Sequence, residues 1–180
     1  GMAIAMLIGE GKVRRDDDIR RHIPEMANIG APITINHLLH HTSGVRDWPG
    51  TLGLAGWRYD DVISFEQILT MAYHQRSLNF VPGSEYTYSN TGYNLLAETV
   101  QRVTGQSFRA WTDANLFQPL GMTRTVFRDD HTVIIPDRAL GYTRGADGRW
   151  HAVTNNLTAL GSSPMTSTVE DLARRAINFD

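Results

Sequence analysis

The sequence predicts a mainly α-helical fold that carries one small β-hairpin. In several segments the apolar residues recur at steps of three and four, as they do on the buried face of an amphipathic helix. Two of these segments follow capping boxes, which begin at Ser64 and at Thr168. The hairpin is predicted at 142–153, where Asp147-Gly148 separates two short segments of strand character.

The first helices are predicted from apolar content and from caps. Residues 2–8 are apolar on every side, which predicts a helix that is buried all round and ends at Gly9. Because a chain that begins inside a core helix is unusual, we expect this chain to be an internal piece of a longer domain. A short helix is predicted at 19–22, and Thr34 is the predicted cap of a helix over 35–41.

Four further helices are predicted along the rest of the chain, at 65–75, 92–103, 108–116 and 169–178. Thr91 is the predicted cap of the second of these, and Gly105 is its predicted end. The glycine-containing stretch 46–61 is instead predicted to be a long irregular loop at the rim of a cleft. Its predicted aromatic anchors are Trp48, Trp57 and Tyr59.

The composition excludes several classes of function. With 180 residues, of which 41% are hydrophobic and 20% charged, the chain has enough apolar material for one sizeable core. The net charge of -2, without a basic block, argues against nucleic-acid partners, and the longest apolar run is too short to span a bilayer. The chain has no cysteine and a single lysine, Lys12. Thiolate chemistry is therefore excluded, and lysine chemistry has one candidate, because arginine stays protonated.

A polar, turn-rich loop over 82–93 contains the candidate site residues Tyr88 and Asn90. Pro82-Gly83 signals a turn, and the loop leads into the N-terminus of a predicted helix, where side chains are exposed yet held in place. Residues two apart in an extended stretch point to the same side, so we expect both side chains to face one cleft. The structural alternative is that Tyr88 packs and Asn90 helps to cap the helix.

Three other polar stretches are weaker candidates. His37, His40 and His41 are spaced so that two of them share a helical face, which is a possible zinc geometry, but no third ligand follows at a recognisable spacing. The three aspartates at 16–18 lack the spacing of a calcium loop and are interpreted as helix-capping, solvated residues. Ser43 lacks the flanking glycines of a nucleophile elbow. We predict no metal and no other cofactor, and a zinc-dependent hydrolase stays an alternative.

Short motifs along nearly the whole chain occur together in the order of one known family. They are Gly9–Val13, Asp17-Asp18, Ile23–Glu25, Ile33–Gly44 with its His-Thr-Ser-Gly end, Pro82-Gly83, Tyr88–Tyr93, Leu96, Val103–Gly105, Phe117–Thr125, Ser167-Thr168 and Asp171–Ala173. Any one of them is weak. Together they resemble the serine β-lactamase and penicillin-binding-protein family, in its class C β-lactamase-like branch.

The resemblance implies both a fold and a mechanism. The fold would be the helical half of the β-lactamase/transpeptidase-like α/β fold, with the central antiparallel sheet largely missing from this chain. In the mechanism a serine attacks the carbonyl of a β-lactam, an ester or a D-amino-acid peptide, while a lysine and the tyrosine of a Tyr-x-Asn motif manage the proton. Matched onto this chain, Tyr88 is the implied general base and Asn90 the implied positioning group. A tyrosine, with an ordinary pKa of about 10, needs nearby cations to act as a base near neutrality.

The chain departs from the family pattern at the other two catalytic motifs. The motif Ser-x-x-Lys needs a serine three residues before a lysine, but the residue three before Lys12 is Gly9. The same lysine count excludes Lys-Thr-Gly, and no histidine is followed two residues later by glycine. We therefore predict a truncated, inactive piece of such a domain. This piece would have three parts: a helical part over 1–122 that contains the Tyr-x-Asn loop, an irregular part with a hairpin over 123–160, and a loop followed by a terminal helix over 161–180.

Partners and location are predicted from the same resemblance. The parent domain would act on a small-molecule or peptide acyl substrate, and location outside the cytoplasm is implied by the resemblance alone. A helical half that normally packs on a sheet should leave an apolar face uncovered, so a homodimer or an exchange of elements is expected to cover it. The alternative to a hydrolase is a non-catalytic binding module on the same scaffold.

Overall fold

The computed structural model describes residues 1–58 and 60–178, and within them the chain is mainly helical, as predicted. The helices are α1 (Met2–Gly9), α2 (Ile35–Leu39), α3 (Trp48–Leu54), α4 (Phe65–Tyr73), α5 (Asn90–Thr104), α6 (Phe108–Thr112) and α7 (Val169–Ile177). The strands are β1 (Val126–Phe127), β2 (Gly141–Arg144), β3 (Trp150–Val153) and β4 (Met165–Thr166). Tyr59, one of the predicted aromatic anchors, lies outside the described residues.

Helix α5 is the centre of the helical part, and α1, α2, α3, α4 and α6 all contact it. Because apolar residues recur along it at steps of three and four, one of its faces is buried against these neighbours. The apolar residues buried on it are Leu95, Leu96, Ala97 and Val100. The helix ends where predicted, at Gly105, whose φ of 69° lies in the left-handed region that favours glycine.

The cap of α5 differs from the prediction. Ser89, and not Thr91, is the N-cap, since its Oγ accepts a hydrogen bond from the Gly92 N–H at 3.2 Å. The Thr91 hydroxyl instead accepts the Trp48 N–H at 2.9 Å, which joins the start of α5 to the start of α3. Both residues are good caps by type, and the contact with α3 decides between them.

Helix α1 packs on α5. Its composition predicts burial on every side, but the structure leaves part of it exposed. Ala3, Ile4 and Leu7 belong to the core, whereas Ala5 is exposed. The main core lies between these two helices and the segment that follows α1. That segment contributes Val13, Ile19, Ile23, Ile33, Ile35 and Leu38.

The prediction of an irregular loop over 46–61 is wrong for its first half, which forms α3. Pro49 lies in the first turn, where proline is well tolerated because its missing N–H would have no partner there. Trp48 is only 3% exposed and packs with Ile63, Ile68 and Leu157. This burial outweighs the poor helix propensity of the glycines at 50 and 53.

Four short strands form two separate antiparallel pairs within the described residues. Strands β2 and β3 form the predicted hairpin, with Tyr142 opposite Ala152, and every residue of both strands is exposed. Strands β1 and β4 pair Val126 with Thr166. The first lies in the part predicted as irregular with a hairpin, and the second in the part predicted as loop with a terminal helix. Short-range patterns could not predict this pair because its partners lie far apart in the sequence.

A buried carboxylate adds to the β1–β4 pairing in joining the C-terminal segment to the rest. Asp171, in the first turn of α7, accepts hydrogen bonds from the Arg124 N–H at 2.8 Å and from the Thr125 hydroxyl at 2.9 Å. The Thr168 side chain caps α7, as its capping box predicted. Among the described helices, none combines the length and the apolar character that crossing a membrane requires.

Candidate functional site

The predicted site residues lie where the loop over 82–89 turns into α5. Ser89 is extended, with φ -138° and ψ 114°, and its side chain is buried at 2% exposure. Tyr88 before it is 54% exposed, and Asn90 after it is half-buried. The side chains thus alternate about the buried serine, and the structure leaves the phenol of Tyr88 accessible to a ligand.

Asp47, the residue before α3, holds Asn90 in place. Its Oδ1 accepts the backbone N–H of Asn90 at 2.6 Å and that of Thr91 at 3.3 Å, and its Oδ2 accepts the Asn90 Nδ2 amide at 2.8 Å. Two of the four N–H groups that a helix start leaves unpaired are satisfied in this way. The amide of Asn90 is therefore oriented, with one N–H directed at Asp47 and its carbonyl oxygen left for another donor.

Tyr88 belongs to a cluster of aromatic rings around His41. The centre of the His41 ring lies 4.5 Å from that of Tyr88, 5.0 Å from that of Tyr93 and 6.0 Å from that of Tyr86. The planes of His41 and Tyr93 are stacked at 23°, and Tyr86 meets His41 edge-on at 84°. Contacts at these distances restrict the orientation of the Tyr88 ring even though much of its surface is exposed.

Burial shifts the pKa of two members of this cluster, His41 and Tyr93. It lowers the pKa of His41, against the charge of Asp47, which raises it. Burial also raises the pKa of Tyr93, and the neighbouring Tyr88 phenol adds to that shift. The Tyr93 hydroxyl stays protonated and donates a hydrogen bond to the carbonyl oxygen of Leu39 at 3.2 Å. Tyr93 is therefore occupied, whereas the loop exposes both Tyr86 and Tyr88, at 67% and 54%.

The three histidines do not form the shared face that a zinc site would need. His37 is used in a capping box of α2, where its Nδ1 accepts the Thr34 N–H at 3.3 Å. His40 is exposed, and His41 packs among the tyrosines. No group of three potential metal ligands occurs in the two ranges that the structure describes.

The other polar candidates have structural partners. Asp17 accepts hydrogen bonds from Arg21 at 2.7 Å and is in contact with His22 at 3.0 Å, and Asp18 caps the short 3-10 helix that follows. Ser43 is buried, and its Oγ accepts the Val45 N–H at 3.3 Å. Each of these groups therefore supports the local backbone.

Lys12 is not part of the cluster around Tyr88. Its ammonium group pairs with the carboxylate of Glu10 at 2.8 Å, just after α1, and both side chains are about half exposed. The cation that a tyrosine base requires is therefore not supplied by the only lysine of this chain.

Sequence reasoning missed two residues of the site. His41 was considered only as a metal ligand, although it lies in the His-Thr-Ser-Gly motif. Asp47 was assigned to an irregular loop, and nothing in its sequence neighbourhood signals its contact with Asn90, which lies 43 residues further along the chain.

A large open cavity of about 820 Å³ lies on another side of α5. Apolar side chains from α1, α5 and α6 line it, among them Ile4, Leu96, Val100 and Phe108. Tyr93 reaches its wall, whereas Tyr88 and Asn90 are not among its lining residues. The cavity is thus distinct from the surface that presents the predicted site residues.

Comparison with known proteins shows which family this chain resembles in sequence and in fold. The family model described as Beta-lactamase matches residues 1–178. A D-aminopeptidase of Gluconobacter oxydans is 26% identical over 157 residues, which cover 87% of this chain and 29% of that protein.

Two solved structures share the arrangement of helices and strands. An octameric penicillin-binding protein homologue from Pyrococcus abyssi has a TM-score of 0.82 at 27% identity, covering 97% of this chain and 41% of that one. A penicillin binding protein from Bacillus halodurans has a TM-score of 0.80 at 28% identity, covering 97% and 53%. The chain therefore spans less than two thirds of the length of each of these relatives.

Proposed function

This chain belongs to the β-lactamase family, and on that premise we propose that it carries the general-base segment of a serine hydrolase. Tyr88 is the general base, and Asn90 positions the substrate. In the acylation step the Tyr88 oxygen, as phenolate, takes the proton of the attacking serine hydroxyl while the serine oxygen bonds to the acyl carbon. The proton then passes to the departing amine or alcohol.

The observation that carries this proposal is the fixed geometry at the start of α5. Tyr88 presents its phenol to solvent while its ring contacts His41, and Asp47 orients the Asn90 amide at 2.8 Å. A positioning group needs such orientation before the substrate arrives, since misplaced groups lose much of their catalytic effect. The remaining carbonyl oxygen and N–H of Asn90 suit an amide of the substrate.

We propose that the acyl substrate is a D-amino-acid peptide, with a β-lactam or an ester as alternatives. The name of the D-aminopeptidase relative supports the peptide as substrate. The names of the penicillin-binding relatives support the β-lactam. The 180 residues hold no Ser-x-x-Lys motif, so by themselves they are expected to be inactive in acyl transfer. We interpret them as the helical half of the fold, without most of its central sheet.

The test is acylation by a fluorescent penicillin, measured on the product of the complete reading frame that contains these residues. Tyr88→Phe is expected to slow acylation by about 10²–10⁴-fold, the usual contribution of a general base. Tyr142→Phe, on the exposed hairpin, is the matched control and should acylate at the rate of the unmodified protein. An unchanged rate in Tyr88→Phe would contradict the assignment.

The 180-residue chain gives a second measurement. After incubation with the same penicillin its intact mass should be unchanged, because no nucleophile motif is present. A stoichiometric acyl adduct would show that a serine within these 180 residues is the nucleophile. It would contradict the proposal that they carry only the general-base segment.

A non-catalytic binding module is the second candidate. The observation that favours it is the pairing of Lys12 with Glu10, which leaves these residues without a catalytic lysine. A complete reading frame without Ser-x-x-Lys, whose product resists acylation yet shifts the NMR signals of Asn90 on adding a D-amino-acid peptide, would favour the module over the enzyme.

A further inference from the structure

His41 joins the Tyr88 loop to the end of α2 through its backbone and its ring. Its carbonyl oxygen accepts the Thr87 N–H at 3.0 Å, and its Nδ1 accepts the Ser89 N–H at 3.2 Å. These two bonds lie on either side of Tyr88 in the chain. They therefore fix the backbone that carries the Tyr88 ring, and the ring itself rests against the imidazole at 4.5 Å.

The backbone of His41 is built for this contact. Its φ of 57° lies in the left-handed region, which few non-glycine residues adopt and in which histidine is among the more tolerated. The turn ends α2, whose C-cap is His40, and lets the His41 ring stack on Tyr93 of α5 at 5.0 Å. One residue thus connects α2, the loop and α5.

The hydrogen bond from Ser89 decides the protonation state that this arrangement needs. An N–H that points at Nδ1 requires a lone pair on that nitrogen, so the ring must be neutral with its proton on Nε2. A protonated imidazole carries hydrogen on both nitrogens and cannot accept this bond. Protonation of His41 would therefore release Ser89 and loosen the loop.

We propose that His41 is the positioning residue for Tyr88 and that it holds the tyrosine only as a neutral imidazole. The proposal rests on the proposed function, because positioning matters for the reaction only if Tyr88 is the base. It adds a requirement that the base alone does not impose, namely that the rate of the Tyr88-dependent step falls when His41 takes up a proton.

Burial of His41, more than the charges around it, gives the direction of the pH dependence. Burial lowers its pKa, the Asp47 carboxylate opposes this shift, and the neighbouring His40 adds to it. The other ionisable groups packed against the ring are the phenols of Tyr86, Tyr88 and Tyr93. Because the pKa in the folded chain is below the unfolded value of about 6.5, His41 is neutral at pH 7. The loop is held there and is released as the pH falls through the folded pKa.

The first test is a pH titration of the 180-residue chain by NMR. The nitrogen signals of His41 should report the Nε2–H tautomer at pH 7.5, and the Ser89 amide and Tyr88 ring signals should titrate together with His41. His37 is an internal control, since burial lowers its pKa too but its Nδ1 accepts from Thr34. Ser89 and Tyr88 signals that stay constant while His41 titrates would overturn the proposal.

Two variants separate the hydrogen bond from the ring. His41→Asn keeps an acceptor close to the position of Nδ1 and tolerates the left-handed backbone, but cannot be protonated. We expect its Ser89 amide to exchange within about threefold of the wild-type rate and to be insensitive to pH between 7.5 and 5, apart from the intrinsic pH dependence of exchange. His41→Phe keeps a ring without an acceptor, and its Ser89 amide should exchange at least about tenfold faster. Equal exchange rates in the phenylalanine variant and the wild type would refute the assigned role.

The outcome is distinguishable from that of the proposed function. The titration reports the position of Tyr88 and involves no reaction, whereas the acylation assay of Tyr88→Phe reports its chemical role. If Ser89 and Tyr88 follow His41 but Tyr88→Phe acylates normally, the base assignment fails and the positioning contact stands. If Tyr88→Phe is impaired but the signals do not follow His41, only the present proposal fails.

Discussion

Asp47 is the residue that couples the candidate site to the helix behind it. Its carboxylate accepts two backbone N–H groups at the start of α5 and the side-chain amide of Asn90. The same contact therefore serves helix stability and orientation of the site, because the partial positive charge of the helix start favours a carboxylate there.

We predict that Asp47→Ala lowers the free energy of unfolding by about 1–2 kcal/mol, the cost of removing a helix cap. Urea unfolding followed by circular dichroism measures it. The control is Asp16→Ala, which removes an exposed carboxylate paired with Arg14 and should change stability by less than about 0.5 kcal/mol. Equal effects of the two substitutions would show that the contacts of Asp47 contribute nothing to folding.

At the scale of elements, the packing of the segment after β3 against α5 depends on Gly161. Its φ of 93° lies in the left-handed region, and a Cβ at this position would collide with the backbone carbonyl of Tyr93. The neighbouring Leu160 carbonyl accepts the Asn94 side-chain amide at 2.7 Å, which brings the two backbones together. Only glycine satisfies both the conformation and the close approach.

Gly161→Ala is therefore expected to destabilise the fold by about 1–3 kcal/mol through backbone strain, with a further cost from the collision. Thermal and urea unfolding of the variant measure the loss. Gly53→Ala in α3 is the matched control, since a Cβ there has open space, and it should be neutral or stabilising by up to about 1 kcal/mol. A Gly161→Ala variant as stable as the wild type would refute the close approach.

The whole molecule combines a helical body with a large open cavity, whose lining mixes apolar side chains with polar ones such as Arg128, Arg138 and Arg175. The cavity of about 820 Å³ is lined by side chains of α1, α5 and α6, and the exposed Leu140 lies at its edge. The apolar side chains that this open lining leaves uncovered favour association in water. We propose that in solution a second copy of the chain, by dimerisation or by exchange of elements, covers this face.

Light scattering across micromolar concentrations tests that proposal. The average mass should rise towards that of a dimer with concentration, and Leu140→Arg should shift the midpoint to higher concentration by placing a charge at the contact. Leu54→Arg, at a residue exposed on α3 and absent from the cavity lining, is the control and should leave the midpoint unchanged. A constant monomer mass would contradict the proposal.

The helices and the hairpin were predictable because their signals are local. The caps at Thr34, Ser64 and Thr168 and the Asp-Gly turn act within a few residues. The prediction failed at α3, where burial of Trp48 outweighed glycine content. It also failed for the cap of α5, where Thr91 is taken by a hydrogen bond from Trp48. Both failures concern contacts between residues that are distant in the chain.

The sequence by itself determined that this chain is mainly helical and that it has the motifs of its family, while a shared surface for Tyr88 and Asn90 stays a prediction from their spacing. Residue types and short spacings suffice for that, because helix caps, turns and alternation are short-range effects. Only the tertiary structure decided which groups hold the pair, namely Asp47 on Asn90 and His41 on Tyr88. Those contacts depend on how α2, α3 and α5 pack, and packing joins residues that no local pattern connects.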